Sequence, residues 1–434
     1  MKKEEAGIDH FKDFETDMLP EEEAAPRHER ARRRREAEKR VYTAAGIFLG
    51  VVLLVTSGTM LALRKGSDRA AAQEVIAEQD TPAQVVDAPV VLAATADAVN
   101  ATSGDAVLED TITQIIEDMT IEDKVASLFL ISPEQLTGVE VVTGFGDATK
   151  DALKRYAVGG IVYSDKNLKT KDQMKEMLAG AKDNAKYPLF LAVNENGEKR
   201  SAVAVALGET VLPSGEAVTD EAAGVSYGDA VGTYLSLNGF TMNLSPVANP
   251  LTEDGALDGF AYAEDPMQCA QVTGGVVKGM QAKNIFTCAK YFPVYGETTD
   301  KSKETLYGNE LEPFRAAIEA GTSAIMLSNV TAPAITGTDE PASLSSAVAS
   351  DLLRLELGFE GIIVTDALNA EAIITRYDAK ESVVKAIDAG ADMLYMPLDF
   401  AASYQGLLEA VEAGEISEER LDESLLRIFR VKYR

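Results

Sequence analysis

Eight short apolar runs, separated by helical patterns, constrain this chain more than any other feature. They are ASLFLIS (126–132), GGIVYS (159–164), PLFLAVN (188–194), FTMNLSPV (240–247), IFTCAKYF (285–292), SAIMLSN (323–329), GIIVTDA (361–367) and ADMLYMP (391–397). Most are continuous rather than alternating, as expected of strands buried on both faces. Amphipathic stretches such as TKDQMKEMLAGAKDNA and SSAVASDLLRLELG lie between them. Gly321, Gly358 and Gly390 follow helical patterns, where C-caps belong. Eight β–α repeats of this kind predict an α/β fold, a closed (β/α)8 TIM-type barrel over residues 108–434. A doubly wound open sheet is the alternative, although no G-x-G-x-x-G follows the first strand.

Ahead of the barrel, residues 41–63 (VYTAAGIFLGVVLLVTSGTMLAL) contain no charge. About 20 such residues span a bilayer as a helix. The preceding stretch RHERARRRREAEKR (27–40) holds eight Lys/Arg, against Arg64, Lys65 and Arg69 just after the segment. The positive-inside rule then makes residues 1–40 a charged cytoplasmic tail and puts the barrel outside the cell membrane. Residues 64–107, rich in Ala, Val, Asp, Thr and Gln, read as a flexible linker. The rivals for 41–63 are a cleaved signal peptide and a core helix. The long preceding tail, an apolar run beyond about 7–15 residues and the lack of a small-x-small site favour an uncleaved single-pass anchor.

The net charge is −29, and residues 1–40 are close to neutral, so nearly all of it falls on the remainder. Such a surface argues against a nucleic-acid partner, which wants basic patches. The two histidines, His10 and His28, both precede the barrel. The barrel therefore has no imidazole base, Ser-His or Cys-His relay, or His metal ligand. Cys269 and Cys288 belong to no CxxC or metal-like cluster; they could pair if exported, or stay as buried thiols. No D-x-D-x-D loop supports a carboxylate-only metal site, and neither a metal nor a cofactor is expected.

In a (β/α)8 barrel, catalytic groups sit where strands end. The ends here offer Asp165, Asn194, Asn249, Lys290, Asn329 and Asp366. Asp366 closes an apolar strand. A carboxylate there can attack an anomeric carbon or bind a cation, or it can simply N-cap the next helix. Lys290 can donate to substrate hydroxyls or join a salt bridge in the barrel mouth. Tyr291 and Tyr295 suit sugar rings and equally suit plain packing. In the polar loop GETTDKSKE (296–304), Glu297, Asp300 and Glu304 are candidate proton donors, or merely solvated charges.

These motifs together resemble the N-terminal-type barrel of glycoside hydrolase family 3, especially its single-domain β-N-acetylhexosaminidases, over about residues 110–434. LGFEGIIVTDAL is similar to the family's nucleophile strand, KYFPVYG to its Lys-His-Phe-Pro-Gly-His-Gly loop, NLSPVANP to its Asn-x-x-Pro-Val-x-Asp strand, and YAVGGIVYSDKN to its second strand. The resemblance implies a retaining hydrolase with Asp366 as nucleophile and Lys290 binding substrate, acting on cell-wall or other glycans such as a peptidoglycan fragment. Several positions depart from the pattern. Tyr291 and Tyr295 stand at His positions, and Lys301, Ser302 and Lys303 replace the Asp-Ser-His loop that carries the acid–base His. Asn194 replaces a sugar-binding Asp, and Phe260 an Arg, while Asp265 and Pro266 remain. Glu297, Asp300 or Glu304 would have to supply the proton, because a Lys in an exposed loop stays charged near neutrality. A catalytically inactive relative that binds glycans or acts as a scaffold is the alternative.

Overall fold

The computed structural model describes residues 106–197, 201–252, 255–296, 299 and 306–434, all within a compact unit, Pro89–Arg434. The expected tail, anchor and nearly all of the linker lie outside the described residues, as do Glu297, Asp300, Glu304 and Lys301 to Lys303. No helix among the described residues is long and apolar enough to cross a membrane.

Each expected run contains a strand: β1 (Phe129–Ile131), β2 (Gly160–Tyr163), β3 (Phe190–Val193), β4 (Met242–Asn243), β5 (Phe286–Phe292), β6 (Ala324–Leu327), β7 (Ile362–Val364) and β8 (Leu394–Tyr395). All pairings are parallel, in the order β7-β6-β5-β4-β3-β2-β1-β8. The two ends then meet. A parallel bridge joins Val364 to Met393. Ile363 O accepts from the N–H groups of Asp392 at 2.7 Å and Met393 at 3.0 Å. The sheet is thus a nearly closed TIM-type barrel, and the open doubly wound alternative is overturned.

The seam between β7 and β8 is held from behind by Asp392, a carboxylate with 0% exposure. It accepts from Ile363 N–H at 2.9 Å, Arg354 Nη2 at 2.7 Å, Ser424 Oγ at 2.8 Å and Arg427 Nη1 at 3.0 Å. Arg354 and Arg427 come from the helices Ala347–Glu356 and Glu418–Lys432, so one carboxylate ties two helices to the closing strand pair. A buried charge is tolerated only with such partners.

Helix ends follow the local chemistry. Thr170 and Gln173 form a capping box at the start of Lys171–Asn184. Asp265 caps Pro266–Gln281, with Pro in the first turn, so this retained Asp-Pro pair acts here as a helix start. Gly321, Gly358 and Gly390 all take positive φ after helices, as their positions predict.

The helices Glu221–Leu237 and Pro266–Gln281 pack backbone to backbone through Gly224, Gly228 and Gly232 on one and Gly275 and Gly279 on the other. A Cβ on Gly279 would drive into Val225 O and stand 2.6 Å from Asp229 N. Gly274, one residue before Gly275, faces away, and its Cβ would meet Ala316 O at an ordinary 3.6 Å. Gly279→Ala should therefore cost about 2 kcal/mol or more through overpacking. Gly274→Ala should be neutral or stabilising by up to about 1 kcal/mol through helix propensity. Urea unfolding midpoints of the two variants check this; equal effects would refute contact-controlled packing.

Candidate active site

Side chains alternate along each strand, so the faces of β5 can be told apart. Thr287 Oγ1 meets Thr322 Oγ1 at 2.9 Å and lies 3.4 Å from Gln281 Nε2, so its face points to the helix layer. Cys288 and Lys290 take the other face, toward the lumen. Lys290 pairs in register with Met326, and Met326 with Val364. Asp366, two residues beyond Val364, continues that lumenal face at the C-terminal rim.

Asp366 is half-buried, and its Oδ1 accepts its neighbour's N–H, from Ala367, at 2.8 Å. It does not cap the next helix: that helix, Glu371–Ile374, has Ala370 at its N-cap. The segment around Asp366 is fixed on both sides. Toward β8, Thr365 Oγ1 accepts from Tyr395 N–H at 2.9 Å, and Leu368 N–H donates to Tyr395 O at 3.0 Å. Toward β6, Asn329 Nδ2 donates to Ala367 O at 2.9 Å, and Asn329 Oδ1 in turn accepts from Ser343 Oγ at 2.6 Å. Asn329 is thus a brace for the Asp366 turn.

Lys290 is 2% exposed. Its ammonium donates to Asn194 Oδ1 at 2.9 Å, across the lumen from β5 to the end of β3, and stands 5.2 Å from the Tyr291 ring centre. One partner of the ammonium across the mouth is thus an amide oxygen. The Lys290–Tyr291 and Phe292–Pro293 peptides are cis. Asn249 clamps the Tyr291 backbone, accepting from its N–H at 2.6 Å and donating to its O at 3.0 Å. The Tyr291 ring lies 5.2 Å from the Tyr295 ring. Tyr295 packs with Phe260 and Leu251 on the buried Val247, Leu257 and Ala261, a small apolar cluster separate from the main core. Asp165 is exposed; its carboxylate accepts from its neighbour Lys166 N–H at 2.9 Å, and its backbone O accepts from Lys169 Nζ at 2.9 Å. Thr299 N–H donates to Thr331 O at 2.9 Å, which ties the β5 loop to the β6 loop.

Cys269 and Cys288 are free, buried thiols, both pushed up to about 12 by burial. Cys288 lies one lumenal position below Lys290 and feels both site charges. The Lys290 cation lowers its pKa and the Asp366 anion raises it. The two charges that the strand-end argument singled out therefore act on one lumenal region. Among the described residues, no group of three His, Cys, Asp or Glu side chains stands ready to hold a metal ion.

The strand-end argument missed Glu195. It follows Asn194 directly, yet alternation sends its side chain to the outer face of the barrel, where it has 0% exposure. Its carboxylate accepts from Val203 N–H at 3.1 Å, Ala204 N–H at 3.2 Å and Tyr234 O–H at 3.0 Å. Burial pushes its pKa up to about 7 despite these three donors; burial first, and the nearby Glu195 second, raise the Tyr234 and Tyr227 hydroxyls. The signal was present in NENGE: a carboxylate one step out of phase with a lumenal residue.

With this geometry in hand, comparison with known proteins is decisive about lineage. Residues 120–431 match the "Glycosyl hydrolase family 3 N terminal domain". The chain belongs to glycosyl hydrolase family 3. It is 27% identical over 329 residues to the Beta-hexosaminidase LpqI of Mycobacterium tuberculosis, covering 70% of this chain and 83% of that one. It is 22% identical to Beta-hexosaminidase A of Pseudoalteromonas piscicida, of which it spans only 54% of the length. Among solved structures, a family 3 β-N-acetylglucosaminidase from Paenibacillus sp. superposes with a TM-score of 0.68 at 29% identity, covering 73% of this chain and 62% of that one. The M. tuberculosis LpqI structure gives 0.66 at 24% identity, a likeness of fold, over 74% and 96% of the two chains.

Within this family 3 barrel, Glu195 makes a pH-sensitive contribution to stability. Its folded pKa lies above the ordinary carboxylate value of 4.5, so the folded state holds a proton that the unfolded chain releases. That contribution is present below the unfolded pKa and is lost as pH rises through the window from 4.5 to about 7. Glu195→Gln should abolish a loss on the order of 3 kcal/mol across this window. The check is the wild-type-minus-variant stability difference from denaturant melts at pH 4.5 and 7.5. A pH-independent difference would refute it.

Proposed function

We propose that this chain is a retaining glycoside hydrolase of the β-N-acetylhexosaminidase type, acting on cell-wall or other glycans, with Asp366 as nucleophile. The observation that carries the reading is the placement of that carboxylate on the lumenal face at the end of β7, braced from β8 and from Asn329. Family membership and the hexosaminidase relatives support the substrate class. In this reading an Asp366 oxygen attacks the anomeric carbon while the glycosidic bond breaks toward the leaving oxygen. Water then releases the sugar from the ester. Lys290, with Asn194 and Tyr291 around it, holds substrate hydroxyls, and Tyr295 adds aromatic surface at the rim. The leaving-group proton comes from Glu297, Asp300 or Glu304.

A second reading, a glycan-binding protein without turnover, is favoured by one observation: no imidazole follows His28. General acid–base catalysis is worth about 10²–10⁴-fold, so its loss would leave a slow enzyme unless Glu297, Asp300 or Glu304 substitutes. The detergent-solubilised chain, incubated with aryl β-N-acetylglucosaminides, should release the aryl alcohol, and Asp366→Asn should lower the rate by about 10³-fold or more. Turnover indifferent to Asp366→Asn removes the nucleophile assignment. Calorimetric binding of chitooligosaccharides without turnover selects the second reading.

We also propose that residues 41–63 hold the barrel at the outer face of a membrane. Full-length protein should stay with membranes through alkaline carbonate washing, and a chain lacking 41–63 should not. Release of the full-length protein by carbonate would remove the anchor.

A further inference from the structure

We propose that Glu195 is a positioning residue for the candidate site: its buried carboxylate staples the end of β3 to the helix layer and so fixes Asn194 and, through it, the Lys290 ammonium. This rests on the reading of Lys290 as a substrate-binding group. Asn194 and Glu195 are consecutive and point to opposite faces of the barrel wall. One bonds Lys290 across the lumen at 2.9 Å; the other bonds three donors outside. Any tilt of the strand end that frees the outer side chain moves the inner one.

The attachment is redundant in a way that plain packing does not require. The Glu195 peptide is gripped at both ends by Asn243, which is itself fully buried on β4. Asn243 Oδ1 accepts from Glu195 N–H at 2.9 Å, and Asn243 Nδ2 donates to Glu195 O at 2.9 Å. The carboxylate then reaches the first turn of the helix Ala202–Leu207 and the hydroxyl of Tyr234 on Glu221–Leu237. Ser201 Oγ donates to Gly197 O and closes the excursion on itself. Tyr234 rides on the helix whose glycines lock against Pro266–Gln281, so the staple ends on a rigid layer. Such support matters because displacing a binding group by about 1 Å can cost on the order of 10²-fold in rate.

Glu195→Gln keeps the shape of the side chain but turns an NH2 toward at least one donor, and so breaks part of the staple. Tyr234→Phe removes one donor, and Asn194→Ala is the comparator that removes the amide bond to Lys290 directly. In the full-length protein, amine acetylation at Lys290 is read by mass spectrometry against Lys154, a surface lysine at 62% exposure. Asn194→Ala and Glu195→Gln should each raise Lys290 labelling about tenfold with Lys154 unchanged, and Tyr234→Phe should raise it less. Where the protein turns over aryl glycosides, Glu195→Gln should raise KM about tenfold with kcat within about twofold, the pattern of lost binding. A lower melting temperature with Lys290 labelling unchanged would leave Glu195 as scaffold only and overturn the proposal. Unchanged labelling in Asn194→Ala would overturn it too, because Asn194 then does not hold Lys290. A wild type without turnover removes the hydrolase reading and leaves the labelling outcome to decide this one.

Discussion

Everything at the mouth of this barrel depends on closure between β7 and β8. The other strand pairs share ladders; this pair has one bridge and a few flanking hydrogen bonds. What makes the seam dependable is Asp392, buried behind it with Arg354 and Arg427 in direct contact and Arg420 at 3.8 Å. A buried ion cluster of this kind adds little net stability, because desolvation offsets most of the attraction. Its value is geometric. Ile363 N–H and the Arg354 guanidinium share one carboxylate oxygen, so the start of β7 is held at a defined height beside β8. Asp366 lies three residues beyond Ile363, just past the end of that strand. Its position at the rim is inherited from an interaction at the opposite end of the barrel.

The mouth is then assembled by alternation. β3 and β5 each end in neighbouring residues with opposite duties. Lys290 faces the lumen while the peptide that follows it is clamped by Asn249. Asn194 faces Lys290 while Glu195 grips the helices. The backbone at the rim is thus held by Asn249, Asn243 and the helix layer, while Lys290 and Asn194 meet in the lumen. The Cys288 thiol, raised chiefly by burial, lies where both the Lys290 and Asp366 charges act on it.

Much of this could be read from the residues. The eight apolar runs located eight strands because double burial forces continuous hydrophobicity. Strand-end reasoning pointed to Asp366, Lys290 and Asn194, each of which lies at the C-terminal rim. It failed where the deciding partner is remote in sequence. Whether Asp366 caps a helix depends on where the backbone turns, and the turn delays the helix to Glu371. Glu195 is not marked out by its neighbours because its partners lie eight to about forty residues away. Asp392 sits at the head of an apolar run, and nothing local announces its arginines. The glycines of Glu221–Leu237 and Pro266–Gln281 gain meaning only once the helices face each other.

The departures from the family pattern fall where this construction tolerates them. Tyr291 stands at a His position, yet Asn249 binds the backbone there, so the clamp is indifferent to the side chain it carries. Tyr295 and Phe260, also at positions of polar family residues, meet in one apolar cluster with Leu251 and Val247. Replacing a cation and an imidazole together by rings is physically coherent: either ring alone would lack the other's surface, whereas the pair buries both. The segment that carries Asp366, by contrast, is tied into strand pairing and barrel closure. In the proposed reading, proton transfer is therefore the part of the chemistry that this barrel can lose or reassign without disturbing its frame, whereas the backbone that carries Asp366 is built into that frame.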